Sequence, residues 1–351
     1  MGKTYQTLYP VYFGNRTGYI NRGGEKVIGA RPFYGHDFSE GLAVVEVPDH
    51  GEFSYGFLDE SGRTHIRARF LWAQAFKHGF ARVEIKHGVY TFIDAHGKTM
   101  PCNFTALRDF SEGFAAASTN GEWGYIDPSG YFAIEPRFTR AGIFSEGLAA
   151  VTVGTRTGYI DASGKAVIQD NYQQAWPFQA GRAAVQMADH FGFIDREDKW
   201  IVKPVYDFAW PYYEGLAHVQ DAGYHGFLDP LGAIVVPLNY EDAGNFSEGL
   251  APVRVNNKWG YIDALGRMVI HPQFMGAEPF RQGVARVVVD EYVERTMVPE
   301  THTESEERIE VYRYIDKVGH QIWPWPSFFN GRPYPKDIGY QTPRRGELAA
   351  R

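Results

Sequence analysis

The sequence predicts an all-β protein: one tandem array of nine units of about 34 residues, each folding as three short strands. Three observations carry this. A turn glycine recurs at Gly41, Gly79, Gly113, Gly147, Gly181, Gly215, Gly249 and Gly283, with a spacing of 38 once and then 34 six times running. An aromatic-aliphatic-Asp triplet ends at Asn21, Asp59, Asp94, Asp127, Asp161, Asp195, Asp229, Asp263 and Asp316, with one long interval of 53 before the last. The composition, with 16% aromatic residues and 39 glycines, leans toward strands and turns and away from disorder. Length alone, 351 residues, suggests two domains, but a repeat kept in register from residue 4 to 327 reads as a single array. Propellers normally hold four to eight blades of four strands, so nine thinner units favour an open, curved or spiral array, with a closed propeller-like ring as the alternative.

Within a unit, Leu148 to Val153 reads as the first strand, with Ala149, Val151 and Val153 alternating to one side. Gly158 to Asp161 is the second. Asp161 to Gly164 is turn chemistry: the carboxylate caps the turn's own amides and glycine accepts positive φ. Lys165 to Ile168 is the third strand, and Pro136, Pro204 and Pro272 are expected to close it in their copies. The second strand carries an aromatic on one face in every copy (Tyr19, Phe57, Phe92, Tyr125, Tyr159, Phe193, Phe227, Tyr261, Tyr314) and Ile or Leu on the other. A strand apolar on both faces is covered on both, so units must stack to bury it. The glycine before the aromatic permits close backbone approach. Thr91 and Arg313 break that row, so copies 3 and 9 should pack differently.

These residues resemble the WG (KWG) repeat family of bacterial proteins. The likeness is clearest at Phe246-Ser247-Glu248-Gly249-Leu250-Ala251 with Lys258-Trp259-Gly260-Tyr261-Ile262-Asp263, and at Glu122-Trp123-Gly124-Tyr125-Ile126-Asp127. The namesake tryptophan stands only at Trp123 and Trp259; Tyr55, Tyr90, Phe191, His225 and Tyr312 replace it elsewhere, with Thr17 and Thr157 as exceptions, so it is exchangeable packing. The resemblance implies a β-rich scaffold without a defined catalytic motif, used as an interaction surface.

No constellation of residues specifies catalysis. The Asp row puts one carboxylate in each separate turn, which caps turns and does not converge on a metal. The twelve histidines show no ligand spacing, although His218 and His225 could pair across a hairpin. Cys102, the one cysteine, excludes disulfides and paired-cysteine zinc sites and reads as a small buried hydrophobe. No cofactor is implied. A net charge of -7 disfavours nucleic acid. No apolar run approaches the roughly 20 residues of a membrane helix, and the start lacks a signal-peptide pattern, so a cytoplasmic protein without membrane contact is expected.

Two features suit binding. Trp176 and Trp210 stand in equivalent places one repeat apart, with Trp72 near the same place in copy 2. Such tryptophans stack on sugars or anchor partner proteins, or else plug gaps between units. The second feature is the insertion in copy 9, residues 290–310, which holds eight acids, among them Glu294, Glu304, Glu306 and Glu307, against Arg295 and Arg308. Its flanks, Val287 to Met297 and Arg308 to Tyr314, predict a long acidic hairpin, a docking arm for a basic protein. Residues 328–351 read as an irregular cap and tail. The expected function is a non-catalytic scaffold for protein–protein interaction, of adaptor, accessory or immunity type. A carbohydrate-binding lectin is the second class, and a hydrolase with an unrecognised site the third.

Overall fold

The structure, a computed structural model, describes residues 5–13, 16–49, 52–101, 103–298 and 303–322, together with Phe328–Phe329 and Arg332–Pro333. Cys102 and most of the expected C-terminal cap lie outside the described residues. No helix of the described residues is long and apolar enough to cross a membrane.

The repeats form nine small antiparallel sheets, the blades of a β-propeller. Blade 5 represents them: strand A is Arg140–Ser145, B is Leu148–Val153, C is Arg156–Asp161 and D is Ala166–Tyr172, hydrogen-bonded in that order. Three strands per unit are therefore corrected to four in most blades. The overlooked strand A is only two residues long in several copies, as in Gln174–Ala175 and Asp242–Ala243, too short for alternation to reveal it. Asp37 on strand A of blade 2 feels the charges of Glu278, Arg281 and Arg286 on blade 9.

The open array is also corrected: the ring is closed. The strand-C aromatic of each blade packs on the aromatic that precedes the next blade's turn. Tyr19–Phe38, Phe57–Phe76, Phe92–Phe110, Tyr125–Phe144, Tyr159–Phe178, Phe193–Tyr212, Phe227–Phe246 and Tyr261–Phe280 have ring centroids 4.7 to 5.2 Å apart. The ninth contact joins the ends: Tyr314 meets Tyr9 at 5.5 Å, and its hydroxyl donates to Pro10 O at 3.0 Å. Tyr9, Val11, Ile20, Val284 and Tyr314 form one buried cluster across the seam. Blade 1 begins, among the described residues, at its strand B, Tyr9–Phe13.

Strand D runs past its proline, contrary to expectation: Phe132–Phe138, Trp200–Tyr206 and Met268–Phe274 contain Pro136, Pro204 and Pro272. Pairing skips from Trp123↔Phe138 to Tyr125↔Ile134, so the proline sits in a bulge of an edge strand, where no ladder N–H is required. Opposite the bulge stands the repeat glycine. A Cβ added to Gly124 would lie 2.4 Å from Ile134 O and 2.8 Å from Pro136 N. Where Thr91 replaces this glycine, strand D of blade 3 shrinks to single bridges, Ile93↔Thr99 and Tyr90↔Phe104. In blade 9, with Arg313, only Ile315↔Gln321 remains among the described residues. Copies 3 and 9 pack differently, as their sequences require.

Candidate functional site

Each Asp of the row, and Asn21, accepts backbone amides two and four residues ahead. Asp161 Oδ1 receives Ser163 N at 2.9 Å and Lys165 N at 3.1 Å, and the same pair recurs from Asn21 to Asp316. The Ser163 hydroxyl and these amides hold the Asp161 carboxyl below its usual range. These carboxylates are committed to turns. Among the described residues no group of three or more His, Cys, Asp or Glu could hold a metal.

The tryptophans lie on or beside strand A of their blades. Trp176, next to strand A of blade 6, packs on Phe208 of blade 7 at 6.1 Å, and Phe208 packs on Trp210 at 4.4 Å. One face of Trp210 is covered by His218, with centroids 3.9 Å apart and planes 7° from parallel, and His218 stacks in turn on Phe227. Both tryptophans are half-buried, and Trp176 Nε1 is buried without a hydrogen-bond partner. Trp72 stands apart in blade 3, edge-on to Tyr90 at 6.3 Å with the Arg82 guanidinium 5.7 Å over its ring. The structure brings Trp176 and Trp210 into one aromatic cluster and leaves Trp72 out of it.

His218 and His225 do pair: Nε2 of the first is 2.8 Å from Nδ1 of the second. Burial, with His225 alongside, pulls His218 down to about 3, so it stays neutral in the folded chain. At the ring seam, burial would lower the Arg286 guanidinium, but the Glu278 carboxylate 2.5 Å away more than offsets it and keeps it charged. Asp37 is open to solvent yet ringed by protein, and that enclosure raises its carboxyl. On the turn face of the seam, Asn21, Arg22, Glu248, Gln282 and Lys317 border an open cleft of about 610 Å³, where Lys317 Nζ lies 3.1 Å from Glu248.

A row of glutamates that sequence reasoning passed over joins the blades along the rim. Glu40 receives His78 N and Gly79 N; Glu112 receives Glu146 N and Gly147 N; Glu214 receives Glu248 N and Gly249 N. The neighbouring serines do likewise: the hydroxyls of Ser39, Ser111, Ser145 and Ser247 donate to carbonyls of the next blade. The signal was present as Ser-Glu-Gly at 39–41, 111–113, 145–147 and 247–249, with Tyr213-Glu214-Gly215 in the same repeat position.

The insertion is a long hairpin. Strands B and C of blade 9, Ala285–Val298 and Thr303–Ile315, count 14 and 13 residues against six and six in blade 5. They pair out to Val298↔Thr303, placing Glu294 opposite Glu307, Arg295 opposite Glu306 and Met297 opposite Glu304. The backbone register also sets Glu291 opposite Glu310.

A closed ring of nine blades with no helix among the described residues, joined by aromatic pairs and carboxylate caps, defines a β-propeller scaffold of repeats. The chain belongs to the WG containing repeat family, whose repeat matches at residues 55–88, 90–123, 123–154, 158–189, 191–224, 226–259 and 259–292. Among solved structures it is similar to one described as the eukaryotic initiation factor, with TM-score 0.63 and 10% identity over 90% of this chain and 95% of that one. BamB from Moraxella catarrhalis matches at TM-score 0.44 and 12% identity, over 76% of this chain and 90% of that one. Hsv2p from Kluyveromyces lactis matches at 0.40 and 8%, over 79% and 97%. At such identities the likeness to the first shows the fold alone. No curated protein matches the chain.

Proposed function

We propose that the chain is a non-catalytic protein-interaction scaffold whose acidic hairpin docks a basic partner protein. One observation carries the reading: the hairpin aligns Glu291 with Glu310 and Glu294 with Glu307. Like charges directly opposite each other weaken a strand pair, so this arrangement costs the free arm stability that a cationic surface would restore. Residues 290–310 carry -6 of the chain's net -7, which also steers a basic partner toward the arm during encounter. An adaptor, accessory or immunity role inside the cell is the setting this arrangement suits, with the ring as the rigid mount.

The test is a pull-down from native lysate with three forms: the full chain, a chain trimmed between Glu291 and Glu307, and Glu294→Gln/Glu304→Gln/Glu306→Gln/Glu307→Gln. A basic protein held by the full chain, released by salt, and lost from both altered forms is the expected result. Equal retention by all three contradicts the docking arm and moves attention to the ring.

A further inference from the structure

We infer that the rim between blades 6 and 7 carries a second, separate binding site, one for a carboxylate, formed by the backbone N–H groups of Glu214 and Gly215 with the guanidinium of Arg182. The inference does not depend on the acidic arm.

The ring itself displays the receptor already filled. Each turn from strand A to strand B has two successive residues at positive φ, +52 at Glu214 and +82 at Gly215, a conformation that turns neighbouring N–H groups toward one acceptor. Where the preceding blade's turn supplies a glutamate, its carboxylate takes them. Glu40 holds its pair at 2.7 and 2.9 Å, Glu112 at 2.7 and 2.8 Å, and Glu214 at 2.6 and 2.7 Å. Glu146 and Glu248 take Gly181 N and Gly283 N at 2.9 and 2.8 Å.

Blade 6 departs from this pattern twice at one place. Ala180 stands where the glutamate belongs, and the N–H groups of Glu214 and Gly215 have no acceptor among the described residues. Two residues on, Arg182 replaces the apolar residue found at Leu42, Leu148, Leu216 and Leu250. Its Nε donates to Pro230 O at 2.6 Å, Nη1 donates to Ala180 O, and the guanidinium lies 5.7 Å over Tyr212, two residues before Glu214. The glutamate that would cap this pair of amides is missing, and a cation stands over Tyr212 on the strand that leads into their turn. Leu231, 81% exposed and next to Pro230, offers apolar contact to whatever flanks the carboxylate. Blade 3 supplies the internal comparison: His78 also leaves Glu112 and Gly113 uncapped, but Phe80 takes the place of Arg182 and adds no charge.

The ligand class is a carboxylate of a peptide, on a side chain or at a chain end. The probes are acetyl-Ser-Glu-Gly-Leu-amide, its Gln counterpart, and acetyl-Gly-Leu with a free terminus, followed by the backbone amide resonances of the full-length protein. Saturable shifts at Glu214 and Gly215 are expected with the carboxylate probes and not with the Gln peptide; the tighter of the two names the source. Arg182→Leu should weaken binding about ten-fold. Ala180→Glu should abolish it by restoring the internal carboxylate, and it fits the site because Glu146 and Glu248 adopt the same left-handed conformation, φ 54 and 56. No saturable shift at Glu214 and Gly215, or shifts unchanged in Ala180→Glu, would overturn the inference.

Discussion

His218 shows how a single residue ties stability to pH. It is sandwiched between Trp210 and Phe227, hydrogen-bonded to His225, and only 2% exposed. Asp242 and Arg254 face the pair with opposite effects on His225. The folded state keeps His218 neutral down to about 3, whereas the unfolded chain takes up a proton near the ordinary value of 6.5. The unfolded state thus binds more protons between these values. The stabilisation from neutral His218 is present above pH 6.5 and falls away by about 1.4 kcal/mol for each unit below it. Urea unfolding from pH 7 to pH 4 should show this slope, and His218→Phe, which keeps the stack, should flatten it. The pairing was legible because the two histidines sit on consecutive strands. Turn capping by the Asp row was legible for a similar reason: its partners lie two and four residues away. The rim glutamates were not, since each binds a turn 34 or 38 residues on, a contact that appears only once neighbouring blades are packed together.

At the scale of the strand, the bulge of strand D depends on a missing side chain. A Cβ on Gly158 would lie 2.5 Å from Ile168 O and 2.7 Å from Gln169 C, backbone atoms that cannot swing aside. Gly158→Ala should therefore cost about 2–3 kcal/mol, and hydrogen exchange should localise the loss to Ala166–Tyr172. Thr91 is the natural version of the experiment, and there strand D is already reduced to bridges. The acidic arm yields an opposite pair of outcomes. Glu307→Lys places a cation opposite Glu294, so the free protein should gain about 0.5 kcal/mol while the basic partner is lost. A variant that gains stability and keeps the partner would separate the arm from binding. Strands B and C were legible from alternation and register. Strand A was hidden because two residues, such as Gln174–Ala175, show no period, and the proline at the bulge reads like a terminator until the facing glycine is seen.

For the whole molecule, the count of nine was legible and the closure was not, because closure rests on substitutions confined to the seam. Blade 1 has Thr4 at the register position of Phe38 and Phe76, and Tyr9 where other blades bury Ala43, Ala81 or Ala115. Tyr9 supplies, from strand B, the ring that the Tyr314 contact needs. Tyr9→Ala should cost about 3 kcal/mol and lower the midpoint of the whole unfolding transition, since an array whose ends meet has no free end at which to fray. Closure is tested most directly by placing cysteines at Thr7 and Gln282, whose side chains are hydrogen-bonded across the seam, in a Cys102→Ser background. A short bismaleimide should then give a 7–282 cross-link within one chain, in high yield and independent of protein concentration. Thiols that each react singly, with no intramolecular link in a protein of native circular dichroism, would mean that the ends do not meet and that the ring is open.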